Sequence, residues 1–329
     1  MAKKDRAKET ALDLEDRGWE ALGFPEPSTG RNAKIAEGYF RQALAIDPDL
    51  ADPYNGLGNV LFARGRYAEA EAMYRTALEK ARAELGADTP PSHAWWGDIS
   101  TRPYMRARHN LGLAFWRQNK YQEAIREFEE LLRRNPNDNQ GARYLIGGLY
   151  HLSGNLRKAV LCYEKAGASK FGHLDPGTEF NHGLALFQTR KFGDAILQFR
   201  LSFFLNPYLP RVMLSQSVKP LKIWHSSNLA APDHALDYEE LYSKLWVRRP
   251  RALTFLRLVY EDESVQSELG TFLEIYAKLL GEKDLRVRSF LGEEAQRLES
   301  WERLKATNPG IVSRVLSRFR GGGEHRASP

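Results

Sequence analysis

The sequence predicts an all-α protein: a right-handed α-solenoid of about five helix pairs with a helical C-terminal extension. Three observations predict it. Glycine, alanine and aromatic residues recur at fixed offsets, the set returns about every 35 residues, and prolines close the second helix of several units.

The chain opens with a helix expected over about Leu12 to Leu22, followed by Pro25, Pro27 and Ser28-Thr29-Gly30, which interrupt what should be the first helix of a unit. Residues 1–32 therefore read as an N-terminal helix and atypical loop, the start of a cap repeat. The array itself runs over 33–208. Pairs with glycine second anchor it: Leu57-Gly58, Leu111-Gly112, Ile146-Gly147 and His182-Gly183. Twelve residues beyond each glycine stands Ala70, Ala124, Ala159 or Ala195; four further on comes Tyr74, Phe128, Tyr163 or Phe199. Ala36 and Phe40 repeat the second half upstream. The glycine and alanine let two antiparallel helices approach closely, and the aromatic fills the space one turn along.

Pro48, Pro136 and Pro207 stop second helices, because proline cannot continue the hydrogen-bond ladder. Asp52-Pro53 and Asp175-Pro176 read as an N-cap followed by a first-turn proline. Gly65 and Gly154 read as the stops between first and second helices. The alanines at 36, 70, 124, 159 and 195 are spaced 34, 54, 35 and 36 apart, so the one long interval holds an insert of 20 residues. The stretches YNGLGNVLFARGRYAEAEAMYRTAL and RHNLGLAFWRQNKYQEAIREFEELLRRNP resemble tetratricopeptide repeats, and the likeness covers roughly residues 10–208. A second resemblance, to bacterial relatives of the suppression-of-tumorigenicity branch of that family, rests on WWGDISTRPYMRARHNLG and RNPNDNQGARYL. It implies no chemistry.

The insert, at about 86–104, carries Trp95 and Trp96, whose indoles have much apolar surface to bury. Either they plug a gap between neighbouring repeats or the loop folds over the concave face. After Pro207 the signature fades while helical periodicity persists, giving an extension over 209–319 with helices near 235–247, 251–260, 272–280, 287–304 and 311–319. Residues 320–329 read as a disordered tail.

Forty-eight Lys and Arg against 42 Asp and Glu leave a net charge of +6, which permits an acidic partner without requiring nucleic acid. The charged N-terminus, the lone Cys162 and the absence of a long apolar run suggest a soluble protein of a reducing compartment, the cytoplasm, with no membrane span. No phosphate loop, dinucleotide fingerprint or nucleophile elbow occurs, and no two of the eight histidines share a helical face as metal ligands would. The expectation is a non-enzyme with no catalytic residue, cofactor or metal. Cys162 reads as a buried structural thiol, and Arg248-Arg249-Pro250-Arg251 as a solvated helix junction.

In the resembled family, first helices line a concave groove. Rotation from the packing residues places Asn55, Asn59 and Phe62 there, then His109, Leu113 and Trp116, then Tyr144, Gly148 and His151, then Phe180, Leu184 and Phe187. Such a surface suits a peptide or helix of a partner protein, with Trp116 the chief anchor. Asn59 and Asn110 match the asparagines of the family's carboxylate clamp, but its three basic positions fall on Asn55, Gly141 and Leu145. The sequence thus points to a non-catalytic scaffold or adaptor; an RNA-binding array using basic surfaces and an accessory subunit of an enzyme complex are the alternatives.

Overall fold

The computed structural model describes residues 2–23, 30–86, 89–90, 92–167 and 174–321. All described regular structure is helical. The helices are α1 (Ala2–Leu22), α2 (Arg31–Ile46), α3 (Asp52–Ala63), α4 (Tyr67–Leu85), α5 (Arg102–Arg117), α6 (Tyr121–Arg134), α7 (Ala142–Leu152), α8 (Leu156–Gly167), α9 (Pro176–Gln188), α10 (Phe192–Leu205), α11 (Leu209–Met213), α12 (Pro232–Val247), α13 (Pro250–Tyr260), α14 (Glu263–Gly281), α15 (Leu285–Glu299) and α16 (Trp301–Gly321). The chain divides into two compact units, residues 1–149 and 150–329, the division falling within α7.

In the first unit α1 packs on α2, α3 on α4 and α5 on α6; in the second α9 packs on α10. The spacing of glycine and aromatic has the expected cause. A Cβ on Gly112 would lie 2.8 Å from Phe128 Cζ, and one on Gly183 2.7 Å from Phe199 Cδ1, so any larger residue collides with the partner helix. Ala36, Ala70, Ala124, Ala159 and Ala195 are all fully buried. Between the helices of a pair, Gly65, Asn119, Gly154 and Arg190 all adopt positive φ, so the same left-handed residue ends four first helices.

Several local expectations change. The first repeat is a complete pair, because α1 reaches back to Ala2 and its Gly18 meets the Phe40 ring as the other glycines meet theirs. Gly18 to Ala36 spans 18 residues instead of twelve, so a longer connection hides the pattern. Pro25, Pro27, Ser28 and Thr29 lie outside the described residues. Asp175 caps α9 by accepting from the Thr178 N–H at 2.6 Å, as expected. Asp52 does not cap: it lies inside α3, whose N-cap is Ala51, and its carboxylate has other partners.

The helix expected over 287–304 divides at Ser300, and α16 runs unbroken through Pro309. The lost backbone donor at Pro309 falls beside Leu304 O and Asn308, both of which accept from the Arg200 guanidinium. At the C-terminus Arg320 and Gly321 still belong to α16; the remainder of the expected tail lies outside the described residues.

Candidate functional site

In the first unit, first helices α1, α3 and α5 are stitched together by polar side chains. Asn59 Oδ1 accepts from Tyr74 Oη at 2.9 Å and from Asn110 Nδ2 at 3.0 Å, joining α3 to its own second helix and to the next first helix. Asn55 donates to Asp52 Oδ1 at 2.9 Å and to Pro103 O at 3.0 Å. Arg106 donates through Nε to Asp52 Oδ1 at 3.0 Å and forms an ion pair with the same carboxylate through its other nitrogen. Its guanidinium also lies 5.7 Å from the Trp19 ring. Glu15 shares this neighbourhood: burial, and then the charges of Asp52 and Asp16, push its carboxyl up to about 8. One arginine therefore serves two carboxylates, of which Asp52 holds the direct bonds.

Behind this surface three buried atoms have no hydrogen-bond partner among the described residues: Asn55 Oδ1, His109 Nε2 and Gln140 Oε1. Burial holds the His109 ring below the usual imidazole range, so the ring is neutral and can accept. Of the expected groove residues in this unit, Asn59, Phe62, His109, Leu113 and Tyr144 are half-buried and bring side chains to the surface. Asn55 and Trp116 are corrections: at 0% and 5% exposure they belong to the framework, so Trp116 is no open anchor. The asparagine pair of the clamp is present as a bonded pair, but the nearest arginine, Arg106, is held by Asp52.

In the second unit the expected groove positions are covered by the chain itself. Phe180 is fully buried, its ring 5.2 Å from Trp246 and 5.3 Å from Tyr238, both on α12. Tyr238 also donates to Asn181 Oδ1 at 2.9 Å. Phe187 lies 4.9 Å from Phe255 on α13 and 5.9 Å from Phe319 on α16. His151 is buried between Tyr163 and Gln188, and burial pushes its pKa down to about 4. Phe180 and His151 are therefore packing residues, while Phe187 packs on α13 and α16 and stays half-buried: extension helices fill the space that the family's groove leaves open.

His182 is also driven to about 4 by burial and then by Lys191, while burial and then Asp175 raise Glu179 to about 7. These displacements arise inside a packed repeat. Cys162 is half-buried on α8. Among the described residues no group of three His, Cys, Asp or Glu is placed to hold a metal ion, and no helix is long and apolar enough to cross a membrane.

The insert plugs a gap. Trp95 is 2% exposed, stacks 5.1 Å from Tyr104, lies under the Arg134 guanidinium at 4.2 Å and donates to Pro90 O at 2.9 Å. It closes the junction of α4, α5 and α6. Trp96 remains half-buried beneath Arg102, 5.1 Å away.

Sequence comparison agrees with this architecture. Two family profiles, each described as tetratricopeptide repeat, match residues 51–91 and 109–172. The cell division cycle protein 16 homologs of Homo sapiens and Mus musculus are each 31% identical over 131 residues, covering 39% of this chain and 19% of theirs. The chain thus spans about a fifth of the length of the curated relatives it matches. A solved structure titled for the functional characterization of Pseudomonas aeruginosa pilF aligns at 18% identity with a TM-score of 0.45, over 88% of this chain and 99% of that one. Repeats of this kind are generally protein–protein interaction modules. With Gly58, Gly112 and Gly183 each meeting the aromatic sixteen residues on, the chain carries tetratricopeptide repeats.

Proposed function

We propose that the protein is a non-catalytic scaffold that holds a segment of a partner protein on the first-helix surface of its first unit. One observation carries the reading: on that surface Asn59, Phe62, His109, Leu113 and Tyr144 stay half-buried, and beneath it His109 Nε2 and Gln140 Oε1 have no hydrogen-bond partner among the described residues. An unmet buried acceptor costs roughly 1–3 kcal/mol, and a segment bringing N–H donors or a lysine removes that cost. The corresponding surface of the last repeat is filled by α12 and α13, which directs a partner to the first unit. The displaced titratable groups lie within repeat junctions, where packing accounts for them.

Affinity capture with mass spectrometry identifies the partner, and titration of its segment tests the site. His109→Leu leaves an apolar side chain against Phe128, whose ring lies 5.6 Å from the imidazole in the parent, while deleting the ring nitrogens. It should weaken binding by about tenfold, the value of a hydrogen bond of roughly 1–1.5 kcal/mol. A folded His109→Leu protein with parental affinity would place the partner elsewhere.

A further inference from the structure

The densest basic run in the sequence, Arg248-Arg249-Pro250-Arg251, plays no part in the first-unit surface. In the second unit it does not stand alone. Four phenylalanine rings meet there: Phe187 at the end of α9, Phe192 at the start of α10, Phe255 in α13 and Phe319 at the end of α16. Phe187 and Phe192 are 5.6 Å apart, Phe255 and Phe319 5.2 Å, and Phe192 and Phe319 6.2 Å. Such a cluster fixes the backbone on either side of each ring, so the residues flanking the rings converge. Those flanking residues are cationic: Arg190 and Lys191 precede Phe192, Arg318 and Arg320 bracket Phe319, and Arg248, the C-cap of α12, and Arg251, in the first turn of α13, stand at the junction before Phe255. All six are exposed, and none has a salt bridge among the described residues. Arg251 lies over the Phe319 ring at 5.2 Å, which links the two basic ends directly.

We propose that this end of the second unit is a docking surface for an acidic segment of a partner protein, separate from the surface on the first unit. Six cations gathered without counter-ions repel one another, and an anionic partner relieves that repulsion. Within 187–194, 247–256 and 314–321 the sole carboxylate is Asp194, and Arg314 is already taken by Asp262 at 2.7 Å. Guanidinium forks suit carboxylates. Phe187, Phe192 and Phe319 are only half-buried, so the patch also offers apolar contact to a side chain carried between the acids.

The patch is bounded, which favours a short acidic stretch over a long polyanion. Asp237, Glu239 and Glu240 stand exposed on α12 eight to eleven residues before Arg248, roughly 12–16 Å back along that helix. Glu261, just past α13, lies roughly 15 Å beyond Arg251. A nucleic-acid backbone following the cations would run into these carboxylates within a few nucleotides.

The test uses the full chain and a fluorescein-labelled peptide of alternating Asp and Glu with one central Phe, read by anisotropy at about 50 mM salt. Binding should weaken steeply as salt rises, and the same peptide with Asn and Gln should not bind. Arg248→Glu combined with Arg318→Glu changes two exposed side chains that make no salt bridge among the described residues, so circular dichroism should be unchanged. That variant should lose at least ~10-fold in affinity, as reversed charges at a steered contact do. His109→Leu should bind the acidic peptide like the parent, so the two surfaces fail or stand independently. Parental affinity in the reversed variant would overturn the proposal, as would no binding by the parent. Tighter binding of single-stranded RNA of equal charge, lost in the same variant, would assign the patch to nucleic acid instead.

Discussion

The Phe40 ring is gripped by two glycines, and replacing one of them should destabilise the protein against helix propensity. In a helix interior, Gly→Ala ordinarily stabilises by up to about 1 kcal/mol. Gly38 on α2 shows that simple case, since a Cβ there would meet nothing within 4 Å. Gly56 on α3 is the opposite case. A Cβ there would lie 2.7 Å from Phe40 Cδ2 and nearer still to Cε2 and Cζ. The ring has no retreat, because a Cβ position on Gly18 is already 2.6 Å from its Cδ1 on the other side, and Phe40 is fully buried. Overpacking a closed site costs about 1–3 kcal/mol, at the upper end where neither wall gives. Net of propensity, Gly56→Ala should cost about 1–2 kcal/mol, lowering Tm by about 3–6 °C. Gly38→Ala should raise it. Combining Gly56→Ala with Phe40→Leu should cost less than the two changes added, a coupling of at least ~0.5 kcal/mol. Thermal melts of the parent, Gly56→Ala, Gly38→Ala, Phe40→Leu and the double variant decide it. A Gly56→Ala protein that gains stability as Gly38→Ala does, or additive changes, would refute the clamp and with it α1 as the first helix of a complete repeat.

Two further outcomes follow from the buried polar groups of the second unit. Arg200 is 0% exposed and joins α10 to α14 and α16 through Glu268 at 2.9 Å, Thr307 at 2.7 Å and Leu304 O at 2.9 Å; Arg200→Met should cost about 3 kcal/mol in urea melts, and an unchanged midpoint would mean that the extension is held by its apolar contacts alone. His151 and His182 are held neutral, each with its pKa near 4, so these two groups remove stability between about pH 6.5 and 4, while Glu15 and Glu179, raised to about 8 and about 7, add stability as pH falls towards the ordinary carboxylate range; the readout is therefore a difference, and His182→Gln should lose less stability than the parent between about pH 6.5 and 4 when melts are compared.

The fold was legible because its rule is local. Gly112 and Phe128 are sixteen residues apart in sequence and in contact across one helix pair, and the same separation recurs at Gly58 and Tyr74 and at Gly183 and Phe199. Proline stops worked for the same reason: Pro48, Pro136 and Pro207 act on the helix just before them. Gly18 was lost because the connection to α2 is longer, though the amphipathic helix and the orphaned Phe40 were both signals. Asp52 looked like a cap because a cap is judged from the next three residues; its partner, Arg106, is 54 positions away. Arg200 has no signal of its own in a periodic helix. Its bonds span 68 to 108 residues, a distance at which no spacing argument reaches.

The groove positions show where that rule ends. A fixed offset from a packing glycine sets an angle around a helix, but that angle does not clear the seam: His109 lies 5.6 Å from Phe128 and Phe180 5.3 Å from Phe199, each on the second helix of the same pair. What lies across from that angle is a separate question. For Asn55 it is the Pro103 carbonyl, for Phe180 the rings of α12, and for His109 Nε2 no donor at all. A solenoid exposes its first helices only if nothing further along the chain returns to cover them. Here six helices follow the last recognisable pair, and their large apolar residues, Tyr238, Trp246 and Phe255, are buried at 3%, 1% and 0% exposure. Burying side chains of that size stabilises by roughly 1.5–3 kcal/mol each, far more than an open groove could return without a ligand. The second unit therefore holds its own helices where the repeat family offers a groove.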